Sequence, residues 1–171
     1  MIEEAQVIQN RDNKEFMKKA VQQNAAFLDL ASEKIKEDKD VVLAAIEKDG
    51  GALEFAGDLL KADKEVVLSA VQKVGWVLCY ASDKLKANKE VVLEAVKVAG
   101  QVLYYASSEL RDDKQIVLEA VKQKGLILKY ASKRLREDIE VVKVAIGQDK
   151  RAASFLPLEI RQKEEIRELL K

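Results

Sequence analysis

The 171-residue sequence has no histidine, one cysteine (Cys79), one proline (Pro157) and one tryptophan (Trp76). Without histidine there is no imidazole to act as a general base near neutral pH, no Ser-His-Asp or Cys-His pair and no His-ligated metal. A single cysteine excludes an internal disulfide. An excess of one charge is missing too, since Lys and Arg number 30 and Asp and Glu number 30. A dedicated binder of nucleic acid or of an anionic membrane carries surplus Lys and Arg, so this balance argues against both. No stretch approaches the roughly 18 consecutive apolar residues of a membrane span. The opening Met1–Gln6 is acidic where a signal peptide is basic. The expected location is the cytoplasm, or an exported position reached without a cleaved signal.

Chemistry is scarce in what remains. Carboxylate pairs such as Asp38 with Asp40 and Asp63 with Glu65 recur, but there is no D-x-D-x-D-G calcium loop. The repeated serines have no base to activate them, and Cys79 has no histidine beside it. The sequence therefore predicts a non-enzymatic protein with no cofactor and no metal.

What is present is a repeat. Four of the seven glycines, Gly50, Gly75, Gly100 and Gly125, are spaced by 25 residues, and that period aligns most of the chain. The clearest copy runs Asp63-Lys-Glu-Val-Val-Leu-Ser-Ala-Val, Gly75, Leu78-Cys79-Tyr80-Ala81-Ser82, Leu85-Lys86, with neighbours beginning at Asp38, Asn88 and Asp113 and weaker copies at Asn13 and Asp138. Six repeats cover residues 13–162 of a single domain spanning 1–171, with 1–12 and 163–171 as terminal caps.

The punctuation of each repeat predicts its elements. The first column, Asn13, Asp38, Asp63, Asn88, Asp113 and Asp138, holds only residues whose side-chain oxygen caps a helix N-terminus. Apolar residues at helical spacing follow, such as Val66, Val67, Ala70, Val71 and Val74, and predict a helix A of about 10 to 12 residues. The glycine column is expected to supply a left-handed C-terminal cap. Pro157 shares its column with Ser32, Gly57, Ser82, Ser107 and Ser132. A mid-helix proline costs about 3 kcal/mol, so this column is predicted to separate a short helix B from a further helical turn.

So short a pair of helices cannot bury its apolar stripe alone, and the repeats are expected to stack as an all-α solenoid. Where inner repeats have Leu43, Leu68, Leu93 and Leu118, the outer ones have Lys18 and Lys143, and the tail reads Ile166-Arg167-Glu168. These substitutions are expected of polar end caps.

The repeated D-K-E-V-V-L-x-A-V, glycine and L-x-Y-A-S pattern resembles a bacterial and protist family of short α-helical repeats known only as a domain of unknown function. The resemblance covers nearly the whole chain, and it departs from the pattern at Ala25 and Lys150, which replace the glycine. It implies an interaction module in a bacterial setting and brings no catalytic residues.

Columns that repeat read as core and caps, which leaves specificity to columns that vary. The residue after the glycine is Ala26, Gly51, Trp76, Gln101, Leu126 or Arg151; three residues on it is Asp29, Glu54, Cys79, Tyr104, Lys129 or Ser154. These two columns share a helical face. Two readings of it stand. It is either an exposed ridge of Trp76, Cys79, Gln101, Tyr104, Leu126 and Lys129 that binds a partner, or core whose volumes compensate. The aromatic column, Leu30, Phe55, Tyr80, Tyr105, Tyr130 and Phe155, is predicted to be core, because its shared property is apolar bulk. Charge runs along the array. Residues 38–62 carry 3 basic and 6 acidic side chains, −3, and residues 113–137 carry 7 and 3, +4. The expected function is a monomeric protein- or peptide-binding scaffold. The alternatives are a modular single-stranded nucleic-acid binder, supported by Lys114, Lys122, Lys124, Lys129, Lys133, Arg134 and Arg136, or a structural spacer.

Overall fold

A computed structural model describes residues 2–171, which contain helices and no strands. Each repeat begins with an α-helix, helix A: Lys14–Gln23, Lys39–Lys48, Lys64–Val71, Lys89–Val98, Lys114–Gln123 and Ile139–Gln148. The capping column works as its chemistry requires. In the Asp63 repeat, Oδ1 accepts from the N–H groups of Glu65 and Val66 at 2.9 and 3.2 Å, and Asp38, Asp113 and Asp138 do the same for their own helices.

Helix B is a 3₁₀ helix. It spans Ala25–Leu30, Gly50–Phe55, Gly75–Tyr80, Gly100–Tyr105, Gly125–Tyr130 and Lys150–Phe155. Three residues per turn make positions i and i+3 eclipse, so its six residues divide into three rows. The row of the glycine and the leucine three residues on, Gly75 with Leu78, is buried; in the second row Val77 is buried and Tyr80, one turn on, is not. The third row, Trp76 with Cys79, faces outward, with Trp76 exposed and Cys79 half-buried. The boundary expected at the proline column is present. Ser32, Gly57, Ser132 and Pro157 each take the position before a one-turn helix, over Glu33–Lys36, Asp58–Lys61, Lys133–Glu137 and Leu158–Arg161.

The glycines do not form left-handed caps: no described residue has a positive φ. Helix A ends instead in an extended residue, such as Asp49 with φ −151° and ψ 119°. Its last carbonyls are met from the next repeat, where Lys73 Nζ donates to Glu47 O at 3.2 Å, and Gln123 Nε2 donates to Val96 O at 2.6 Å while its Oε1 accepts from Gly100 N–H at 2.7 Å. Ala25 keeps its Cβ in this column, but at three later repeats glycine is needed because the next helix A passes too close for a side chain. A Cβ on Gly50 would lie 2.8 Å from Ala70 O, on Gly100 2.9 Å from Ala120 O, and on Gly125 2.1 Å from Ala145 O. Lys150 fills the same column in the last repeat and is exposed.

The described chain comprises two compact bodies, Met1–Leu85 and Lys86–Lys171. Inside each, helix A packs on the neighbouring helix A and 3₁₀ helix on neighbouring 3₁₀ helix, the two layers of an α-helical repeat solenoid. Val41, Val42, Val66, Val67, Val91, Val92, Ile116, Val117, Val141 and Val142 from one layer meet Leu28, Leu53, Leu78, Leu103 and Leu128 from the other, all fully buried. The leucines of the column Leu43, Leu68, Leu93 and Leu118 are half-buried, and its outer member Lys143 is exposed and paired with Glu165 at 2.5 Å. Two short helices close the bodies. Glu4–Gln9 buries Val7 against the first 3₁₀ helix, and Glu164–Leu170 buries Ile166 against Ile139–Gln148.

Two polar ladders tie repeats together within the bodies. In one, the N–H of the serine column donates to the carbonyl of a residue 21 positions earlier: Ser32 to Arg11, Gly57 to Lys36, Ser82 to Lys61, Ser107 to Lys86 and Ser132 to Arg111, at 2.9–3.1 Å. Pro157 has no N–H to give, and this one proline stands in the last repeat. The other ladder reads the N-cap twice. Asp38, Asp63, Asp113 and Asp138 each take the lysine that opens the preceding repeat, Lys14, Lys39, Lys89 and Lys114, at 2.7–2.9 Å. Exposed ion pairs stabilise little, so this ladder sets register more than it adds strength.

The first prediction separates packing from conformation. Gly125→Ala drives a Cβ into the Ala145 carbonyl and is expected to lower the melting temperature by several degrees. Gly147→Ala, inside helix A with nothing within 4 Å of its Cβ, is expected to stabilise by about 0.5–1 kcal/mol. Thermal denaturation of both variants decides it, and equal effects would overturn the close-approach explanation.

The second concerns pH. The hydrogen bond from Lys39 holds the Asp63 carboxyl below its ordinary range. For Asp113 and Asp138, burial pushes upward, but the Lys89 and Lys114 ammonium groups and backbone N–H groups overcome it and the net direction is down. Carboxylates lower in the folded state stabilise it above their unfolded value of about 3.9 and lose that contribution as pH falls through the folded values. Lys39 and Lys114 are raised by the same carboxylates, so their contribution is present below about pH 10.4 and lost above it. With no histidine, melting temperature is expected to be flat between about pH 5 and 8 and to fall below about pH 4. Asp63→Asn keeps the cap, as Asn88 does naturally, and is expected to soften the acid limb.

Candidate functional site

The 3₁₀ geometry fixes where the variable columns lie. Because the residue after the glycine and the one three further on eclipse, both lie on the outward row. Trp76 is 45% exposed and Tyr104 57%. Asp29, Glu54, Lys129, Arg151 and Ser154 are exposed, and Cys79, Gln101 and Leu126 are half-buried. None of the twelve residues is core. The six-residue ridge divides between the bodies, Trp76 and Cys79 in the first and Gln101, Tyr104, Leu126 and Lys129 in the second.

In the second body part of this row comes together with the aromatic column. The Tyr104 ring stands 5.2 Å from that of Tyr130 and 5.1 Å from that of Tyr105, the latter edge-on, and Lys129 Nζ lies 4.6 Å from the centre of the Tyr130 ring. The aromatic column itself is not core, contrary to its apolar pattern. Leu30, Phe55, Tyr105, Tyr130 and Phe155 are half-buried and Tyr80 is 37% exposed. This column closes each 3₁₀ helix, one turn beyond a buried residue of the same row such as Val77 or Ile127.

Beside the aromatic column runs a shallow groove between adjacent repeats. In the first body it is bordered by Asp29, Glu33, Lys36, Glu37, Glu54, Phe55, Gly57, Asp58 and Lys61, with a volume of about 290 Å³. In the second it is bordered by Ser108, Arg111, Lys129, Tyr130, Ser132, Lys133 and Arg136, with a volume of about 320 Å³. The two are the same place in the repeat, shifted by 75 residues: Glu33 becomes Ser108, Glu54 becomes Lys129, Phe55 becomes Tyr130 and Asp58 becomes Lys133. Five carboxylates border the first groove and none the second.

One element of this groove is absent from the columns singled out by sequence. Arg11, Lys36, Lys61, Lys86, Arg111, Arg136 and Arg161 form an all-basic column, whose carbonyls serve the backbone ladder and whose inner side chains are half-buried. The signal was available, as a cation repeated at the same 25-residue period. A column that does not vary reads as structure, which hid it. Its surroundings do vary. Lys36 has Glu33 at 3.3 Å, whereas the side chains of Arg111 and Arg136 have no ion pair and their Nε atoms are buried without a hydrogen-bond partner. At the end of the array Arg161 turns its guanidinium to Leu156 O at 3.3 Å.

The residue that follows this column is acidic at both steps, Glu37 after Lys36 and Asp112 after Arg111. Glu37 Oε1 accepts from Leu59 N–H at 3.3 Å, across a Gly57 whose Cβ would collide with it at 2.2 Å. Asp112 accepts from Ser132 Oγ and from Arg134 Nε, the latter at 3.0 Å, and these partners lower its carboxyl below the ordinary range. Glu37 borders its groove with Oε2 buried and without a hydrogen-bond partner, whereas Asp112 does not border the second groove.

The family model of DUF4116, a domain of unknown function, matches residues 13–61, 63–111 and 113–161. The chain belongs to this family. Each match spans two of the 25-residue repeats, so three DUF4116 copies contain six structural repeats, and their boundaries fall at the N-cap column. No curated protein and no solved structure matches the chain. The grooves follow the shorter period: the acidic one lies inside the first DUF4116 copy, while the basic one joins Ser108 and Arg111 of the second copy to Lys129–Arg136 of the third. Among the described residues no helix is long and apolar enough to cross a membrane.

Exposure of the outward row has a direct optical test. Iodide is expected to quench Trp76 fluorescence in the native protein to a substantial fraction of the unfolded control, and Trp76→Glu and Tyr104→Glu are expected to leave helicity unchanged and cost less than about 1 kcal/mol each, as surface changes do. A blue-shifted, protected signal or loss of folding would make these residues core.

Proposed function

We propose that this chain is a non-enzymatic scaffold that binds protein or peptide segments through the outward row of its 3₁₀ helices and the adjoining grooves. One observation carries the reading: within each body the residues that repeat build caps, ladders and core, while the two columns that change from repeat to repeat lie on the outward row of each 3₁₀ helix. A fold kept constant under a variable strip suits recognition, because the strip can change without cost to the core. Affinity on such a strip comes from aromatic anchors such as Trp76 and Tyr104, with the flanking charges fixing orientation. On this reading Gln101, Leu126 and Lys129 are the contacts around Tyr104, and Cys79 the contact beside Trp76.

A second reading is favoured by one feature, the basic groove beside the Tyr104, Tyr105 and Tyr130 cluster, which offers both charge and stacking to single-stranded nucleic acid. Against it stand the zero net charge and the five carboxylates of the equivalent groove in the first body.

Panning a random peptide library displayed on phage against the intact protein tests the first reading. Enriched peptides are expected to bind the wild type and to lose binding to Trp76→Glu or Tyr104→Glu, with the melting temperature unchanged. Absence of enrichment, together with a strongly salt-dependent complex with single-stranded RNA or DNA at about 50 mM salt, would replace it with the second.

A further inference from the structure

The two grooves share one backbone and one aromatic residue and differ in charge, which makes the basic groove a natural experiment on what the strip recognises. Three of its cations, Arg111, Lys129 and Arg136, have no acidic partner, although elsewhere in the same body the cations Lys89, Lys114, Arg134 and Arg151 are each paired with a carboxylate. Asp112 is nearest by sequence to Arg111, but Ser132 and Arg134 take it. Half-burial of the two arginines removes part of their hydration without returning a counter-charge, so an anion entering the groove meets guanidinium groups that are already partly desolvated. The planar guanidinium fork matches a carboxylate with two parallel hydrogen bonds. Tyr130 borders the same groove and extends it through Tyr104, 57% exposed, giving an apolar landing place one side chain away from the charge.

We infer that the groove formed by Arg111, Lys129, Tyr130 and Arg136 binds acidic peptide segments, with Asp or Glu carboxylates on the arginines and Lys129 and a neighbouring apolar side chain against Tyr104 and Tyr130. This rests on the scaffold reading and names its partner class. A polyphosphate backbone is the poorer occupant. Such a backbone is met by surplus Lys and Arg in proteins dedicated to it, and this chain has 30 basic against 30 acidic side chains. A peptide needs only the one groove.

The test uses the full chain and fluorescently labelled synthetic peptides of about a dozen residues: one alternating Glu with Leu and Phe, one with every Glu replaced by Gln, and one with every Glu replaced by Lys. Fluorescence anisotropy at about 50 mM and 150 mM salt is expected to show binding of the Glu peptide alone. Lys129→Glu, a change at an exposed position, is expected to weaken it about tenfold or more, and Arg136→Gln comparably. Glu54→Lys, at the corresponding position of the other groove, is expected to leave it unchanged. Circular dichroism and melting temperature of each variant show that the fold is kept, and Lys129→Glu carries the test if Arg136→Gln does not fold. Equal binding of the Glu and Gln peptides, or a Glu-peptide affinity indifferent to Lys129→Glu, overturns the inference while leaving the scaffold intact if library peptides still bind. Tighter binding of a single-stranded oligonucleotide that competes with the Glu peptide overturns it in favour of phosphate. Failure of every peptide, library and synthetic, overturns the scaffold reading itself.

Discussion

The close approach of helix A to the glycine of the preceding repeat is the contact on which the rest of the architecture depends. At Gly50, Gly100 and Gly125 the next helix brings an alanine carbonyl within 2.1–2.9 Å of where a Cβ would be, so the interface is backbone against backbone. Small residues on both sides let the layers draw together until valines of helix A meet leucines of the 3₁₀ helices, and that burial supplies the stability: truncating a leucine such as Leu78 or Leu103 to alanine costs about 2–5 kcal/mol. The polar ladders then choose one register among those that apolar packing alone would allow. An N-cap aspartate that binds its own helix through one oxygen and its neighbour's lysine through the other satisfies local and long-range demands with one side chain.

A 3₁₀ helix of six residues is longer than such helices ordinarily run, and its repetition has a physical explanation in the same contact. The segment must return the chain from helix A to the serine column while presenting a buried row to the core, and the tighter 3₁₀ winding does this with the glycine and the leucine three residues on in line. Its first N–H groups are met by an acceptor at Asn24, Asp49 and Asp149, whose side chains take the N–H two residues on at 2.8–3.1 Å. The outward row is a by-product of that winding. Once the glycine and leucine face inward, Trp76 and Cys79 have nowhere to go but toward solvent, and so do their counterparts in every repeat.

The repeat length, the N-caps, helix A, the break at Pro157 and the polar ends were legible in the sequence, because each is written in residues whose local chemistry allows one use. Two features were misread. The glycine column suggests a left-handed cap when helix A is considered alone, and only the neighbouring repeat reveals that space, not dihedral freedom, is what it provides. The aromatic column suggests core by its apolar bulk, and only its place at the end of each 3₁₀ helix, one turn beyond the buried Val77 or Ile127, leaves Tyr80 and Tyr130 partly at the surface. The basic column of Arg111 and Arg136 was missed because constancy was equated with structure, whereas here one constant column serves both: its carbonyls hold the ladder and its side chains line the groove.

That double use lets such a repeat change the charge of its groove without changing its fold. The backbone rung runs from the serine column to the carbonyl of the basic residue, and a carbonyl is indifferent to its own side chain. The cation at this column can therefore be silenced or left available by the residues around it: Glu33 neutralises Lys36 in the first body, and Ser108 leaves Arg111 unmatched in the second. Only exposed positions are involved, and substitutions there cost little stability. On the scaffold reading proposed above, grooves built on the same repeat backbone could differ in ligand through charge alone, with the sign of each set by two or three side chains that the core never feels.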